Sequence, residues 1–175
     1  MLAKCIRPLN FGEFNIEEWT DYVNRISLSE NTPIREFYRQ VVYDHYDHFN
    51  EHYPEFEIEE YDFSYISLTV SEIKEKVRYL CNQLVDWSDL YDKYEKMENN
   101  DFLFQQMSQN HTPPFPPILM DSSSLIDDGW KVYGRPIHLI EGTHRVSYLL
   151  HMAEKGIIDW DSQHDFVFIQ KIKGV

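Results

Sequence analysis

The sequence predicts an α+β chain. A mostly helical N-terminal part, residues 1–112, leads into a small sheet unit, residues 113–175, and the two form one compact domain. Three observations carry this expectation. Apolar residues recur at helical spacing from Ile34 to Phe49 and again from Val70 onward. The clearest short apolar or β-branched runs bounded by turn residues come later, at residues 118–120, 137–140 and 166–169. Between the two regimes lies Pro113-Pro114-Phe115-Pro116-Pro117, whose prolines force an extended path and mark the boundary.

In chain order, Cys5-Ile6 reads as a short strand. Residues 15–23 read as a helix with Ile16, Trp19, Tyr22 and Val23 inward. Thr32-Pro33 is a helix start, a cap followed by proline in the first turn. Its apolar face runs through Ile34, Phe37 or Tyr38, Val41, Val42, Tyr46 and Phe49 and stops before Pro54. Residues 62–68 alternate only partly and read as strand or loop. Thr69-Val70-Ser71-Glu72 fits a capping box, and the helical period then continues through Ile73, Val77, Leu80, Cys81 and Leu84. A second helix follows near Ser88 with Trp87, Leu90, Tyr91, Tyr94 and Met97, and a third from Phe102 after the break at Asn99-Asn100-Asp101. The proline run reads as a rigid lead into the strand at residues 118–120, in preference to an SH3 ligand, because no basic residue adjoins it. Asp121-Ser122-Ser123-Ser124 fits turn chemistry, or contacts with a nucleotide or metal ion. Residues 130–136 read as a strand and turn. The final strand, 166–169, precedes a basic tail of Lys171 and Lys173.

The most informative stretch is Ile137-His138-Leu139-Ile140-Glu141-Gly142-Thr143-His144-Arg145. A buried strand ends at Gly142, after which Val146, Leu149, Leu150 and Ala153 fall on one helix face and Gly156 closes the helix. The first amides of a helix lack internal partners and sit at the positive end of its dipole. A glycine before them admits an anion, and the neighbouring Arg145 and His144 complete a phosphate site. The blander reading is that Gly142 makes the turn and Thr143 caps the helix.

Glu141-Gly142-Thr143-His144-Arg145 resembles the signature of the ParB/sulfiredoxin-like superfamily, a strand with an acidic end and a Gly-x-x-Arg turn opening a helix. The resemblance covers roughly residues 113–172, with residues 117–120 and 165–170 similar to the flanking strands of that family. It implies a small mixed sheet with a signature helix. It also implies ATP or CTP, with Mg²⁺, bound through Gly142, Thr143, His144 and Arg145. Thr143 stands where sulfiredoxins carry a reactive cysteine, so sulfinic-acid repair is not expected. The basic helix-turn-helix of the chromosome-partitioning members does not follow. Phosphoryl transfer or hydrolysis would require a carboxylate as well. Glu141 is the nearest in sequence and Asp121 the best candidate at a neighbouring strand end.

Composition bounds the partners. Thirty acidic against sixteen basic side chains give a net charge of −14, which opposes counterion-driven binding to duplex DNA. No segment approaches the roughly 18 apolar residues of a membrane span, and no secretory signal is seen. Cys5 and Cys81 read as reduced core or boundary thiols of a cytoplasmic protein. From Asp44 to Asp62 the chain carries eight acidic residues and no Lys or Arg. These read first as a solvated face. The alternative function is an acidic binding protein, such as an immunity protein or phage inhibitor that neutralises a basic nuclease. Its surface would comprise Tyr46, Phe49, Tyr53, Glu55, Phe56, Glu57, Glu59 and Glu60. His45, His48 and His52 could share a helix face, but without a cysteine ligand the spacing is a weak metal signal.

Overall fold

The computed structural model describes residues 1–97, 101–127 and 131–172. The chain is α+β, as its periodicities predict, and divides into two compact units, Met1–Ser64 with Lys171–Val175, and Tyr65–Gln170. The division falls upstream of the proline run, where the sequence places its boundary; that run belongs to the second unit.

The first unit is built on helices α1 (Trp19–Ile26), α2 (Pro33–Phe37) and α3 (Asp44–His52), with a π-helical turn at Tyr38–Tyr43 joining the last two. Thr32 and Pro33 start α2 as expected, and α3 ends before Pro54. The π turn re-phases the helix, so that Phe37, Tyr38, Val41, Val42, Tyr46 and Phe49 all point inward. Phe37 is the hub of this core, with ring centroids 5.4 Å from Phe49, 5.6 Å from Phe56 and 5.2 Å from Phe63. Buried phenols find acceptors: Tyr46 donates to the Leu2 carbonyl at 2.9 Å and Tyr22 to that of Ile6 at 2.7 Å. Two expectations fail here. Lys4–Ile6 is a 3₁₀ turn in place of a strand, and α1 begins at Trp19, four residues late. His45 has φ −135° and ψ 28°, which breaks the helical face that was to align it with His48 and His52. Among the described residues no group of His, Cys, Asp or Glu is placed to hold a metal ion.

The sheet comprises β1 (Tyr61–Thr69), β2 (Val77–Arg78), β3 (Ile118–Asp121), β4 (Ile137–Glu141) and β5 (Gln163–Lys171), in the order β1-β5-β3-β4-β2. It is mixed: β3 runs antiparallel to β4 and parallel to β5, and β2 runs parallel to β4. Backbone bonds from Ile172 to Glu60 and from Val70 to Ser162, at opposite ends, make β1 antiparallel to β5. Helices α4 (Val70–Lys76), α5 (Ser88–Glu95), α6 (Phe102–Asn110) and α7 (Thr143–Glu154) complete the second unit, and α7 packs on α4 and α5.

The Thr69–Glu72 capping box is formed, with both reciprocal bonds present. The helix it opens does not reach Leu84. It stops at Lys76, and Val77 pairs with Ile137 in the sheet. A buried valine satisfies either period, so the sequence pattern did not register the change. Residues 131–136 form no strand, and Trp130 lies outside the described residues, as do Asn99, Asn100 and Lys173. Cys5 and Cys81 are free thiols, and both are exposed instead of lying in or at the core.

His164 on β5 is 4% exposed, and its Nδ1 shares a 3.1 Å hydrogen bond with the Thr112 hydroxyl. Its Nε2 is buried with no partner. Burial holds its pKa below the ordinary 6.5, with the Asp165 charge opposing. A depressed histidine is protonated first in the unfolded chain. Stability is therefore complete above pH 6.5 and falls as pH drops below it, by up to about 1.4 kcal/mol per pH unit. Urea midpoints between pH 7.5 and 5.5 should show this loss in the parent chain and a smaller one in His164→Gln. Equal slopes would show that His164 is not the group responsible.

Candidate phosphate-binding turn at the start of α7

Strand β4 delivers the chain to Gly142, which has φ 103° and ψ 33° and serves as the cap residue of α7; with no side chain, it offers the first amides no cap of its own. Glycine is required here on two counts. A left-handed φ of this size disfavours side chains, and a Cβ would stand 2.8 Å from Pro117 Cβ and 3.0 Å from Arg145 Nε. The proline run thus closes over the turn. Its last carbonyl, at Pro117, also accepts the Val167 amide at 3.0 Å and so ties the run to β5.

Arg145 turns inward. It is 7% exposed, with Nη1 donating to the Phe115 carbonyl at 3.0 Å and Nη2 to Glu141 Oε1 at 3.3 Å. The guanidinium that was to grip a phosphate from solvent instead joins the end of β4, the first turn of α7 and the proline run. Glu141 is correspondingly the counter-charge of Arg145. Asp121 is not brought to the turn at all. Because β3 and β4 are antiparallel, Asp121 pairs with Ile137, while it is Ile118 that lies beside Glu141. Asp121 sits roughly 10 Å away along the strand, at about 3.3 Å per residue. Its carboxylate accepts the Ser123 amide and hydroxyl, both at 2.9 Å, which is local turn chemistry. Asp121, the candidate carboxylate from the neighbouring strand end, is therefore placed by the strand register at the opposite end of the strand pair from the turn.

Thr143 and His144 remain at the half-buried mouth of the turn. The His144 ring stacks on Trp87, with centroids 4.5 Å apart and planes 27° from parallel. The Trp87 backbone amide donates to Ser147 Oγ, one turn along α7, at 2.6 Å. Trp87 is 44% exposed. Sequence reading placed it with the core aromatics of the following helix; only the packing of α5 on α7 brings it to His144. Farther along the same face, His151 Nε2 meets Asp92 Oδ1 at 2.9 Å, and Lys155 bridges Asp92 and Glu95. The bond from His151, then that from Lys155, hold the Asp92 carboxyl below its usual range. These contacts clamp α5 to α7 and so set where Trp87 stands.

The alternative partner surface loses its anchors. Tyr46, Phe49, Tyr53 and Phe56 are each at most 7% exposed and form the core of the first unit. Helical spacing that places aromatics on one face describes an inward face as well as an outward one, and here it faces inward. Glu55, Glu57 and Glu59 are exposed, and Glu60 pairs with Lys171 at 2.9 Å. Among the described residues no helix is long and apolar enough to cross a membrane. Comparison with protein-family models, curated proteins and solved structures finds no significant match to this chain.

Proposed function

We propose that this chain binds the phosphate groups of a nucleotide, ATP or CTP, at the start of α7, in the manner of the ParB/sulfiredoxin-like proteins that its Glu-Gly-x-x-Arg turn resembles. The observation that carries this reading is the left-handed Gly142 at the end of β4, which opens a 12-residue helix and, having no side chain, cannot itself cap the first amides. Such a terminus offers directed N–H donors and about half a positive charge to an anion. The Thr143 hydroxyl and the His144 ring stand beside those donors. Arg145 serves as a positioning residue, holding the turn through Glu141 and Phe115. Glu141 is engaged with Arg145 and Asp121 stands at the far end of the strand pair, so Mg²⁺ would arrive on the nucleotide phosphates with water completing its shell. The reading is therefore of a binding protein; phosphoryl transfer would need a second carboxylate at the turn.

The acidic-inhibitor reading keeps its exposed carboxylates but not its aromatic anchors, and no contact favours it over the nucleotide. The test is thermal stability of the full chain with ATP, CTP, GTP and ADP, with and without Mg²⁺. A nucleotide present at 100 times its Kd should stabilise the fold by about 2.7 kcal/mol. For a domain of this size that is a rise in Tm on the order of 5–10 °C. Unchanged melting with all four nucleotides would refute the reading.

A further inference from the structure

Trp87 carries an inference that deepens this reading and rests on it. A tryptophan with 44% of its surface in solvent is normally mobile, yet this one is fixed from two sides. Its ring lies on His144, the second residue of α7, and its backbone amide is held by Ser147 Oγ, a buried side chain of the same helix. Its neighbour Ser88 opens α5, which the His151–Asp92 and Lys155–Glu95 bonds tie to α7. The result is a half-exposed indole plane, pre-ordered one side chain away from the helix amides proposed to take the phosphates. A flat, electron-rich surface beside an anion-binding terminus matches a ligand that has a charged end and an aromatic end.

We infer that Trp87 is the base platform of the site. It stacks on the nucleobase and makes the protein a binder of nucleoside phosphates, selecting them over phosphate chains that lack a base. Stacking is tolerant of base identity, because every base presents a π-face. The platform therefore selects the ligand class and leaves discrimination among bases to other contacts.

The experiment compares binding of ATP, CTP and inorganic tripolyphosphate to the parent chain, Trp87→Ala and Trp87→Phe, by calorimetry, with circular dichroism confirming the fold. The parent should bind the nucleoside triphosphates at least about tenfold more tightly than tripolyphosphate. Trp87→Ala should weaken nucleotide binding on the order of 10- to 100-fold, the range for losing one base–aromatic stack, and leave tripolyphosphate binding unchanged. Trp87→Phe, which keeps a ring, should recover most of the loss. If Trp87→Ala weakens both ligands alike, or neither, or if the parent does not distinguish them, the platform is overturned while the phosphate turn stands. If the parent binds no tripolyphosphate and no nucleotide, the phosphate turn itself falls, and the platform with it.

Discussion

Arg145→Met should destabilise the chain by about 3 kcal/mol, and Arg145→Lys should recover less than half of that. The Arg145 guanidinium is buried and bonded to a backbone carbonyl and to a carboxylate. Removing one member of a fully buried ion pair costs about 3–5 kcal/mol, because the other charge is left uncompensated. Glu141 retains 34% side-chain exposure and so is partly rescued by water, which places the expectation at the low end. Methionine fills most of the volume, so the loss reports on the polar contacts and not on a cavity. Lysine restores a charge but not the fork that reaches Phe115 and Glu141 together. In urea titrations the Arg145 and Glu141 substitutions should be strongly non-additive, since Glu141→Gln removes the charge that Arg145→Met strands. A methionine variant with the parent's midpoint would mean that the guanidinium is not structurally engaged and is free to meet a phosphate.

Gly142→Val should cost about 4 kcal/mol, more than any other single change proposed for this turn. Two effects combine. A side chain at φ 103° is strained by about 1–3 kcal/mol, and a collision at 2.8 Å with Pro117 Cβ forces an overpacking displacement worth about as much again. Pro117 cannot yield easily, because its carbonyl is bonded to β5 and its residue is buried. Gly156 provides the control. It too is left-handed, at φ 69°, but an added Cβ there meets nothing within 4 Å. Gly156→Ala should therefore show strain alone, about 1 kcal/mol. Comparing Gly142→Ala with Gly156→Ala by urea unfolding separates the two contributions. Similar losses at the two glycines would show that the close approach of Pro117 is absent in solution.

What could be read from the residues themselves was local in origin. The Thr69–Glu72 box, the Thr32-Pro33 start, the strand read at 137–140, the turn at Gly142, the amphipathic α7 and its Gly156 terminus each depend on neighbours within about one helical turn. Propensity, capping and period act at that range, so the α+β class and the position of the turn were legible. The partners of the side chains at that turn were not. Arg145 finds Phe115 thirty residues away because the proline run is laid across the turn by its bond to β5. Asp121 is carried to the wrong end because β3 and β4 are antiparallel, a choice of register that neither strand records alone. Trp87 stays 44% exposed, and Phe49 and Phe56 become core, although both kinds of aromatic lie in similar apolar patterns. Contacts between near neighbours in the chain were enough to set the fold class and a glycine-led helix start. Tertiary packing decided which charged groups that start keeps for the protein and which face the solvent, because burial depends on what distant segments cover.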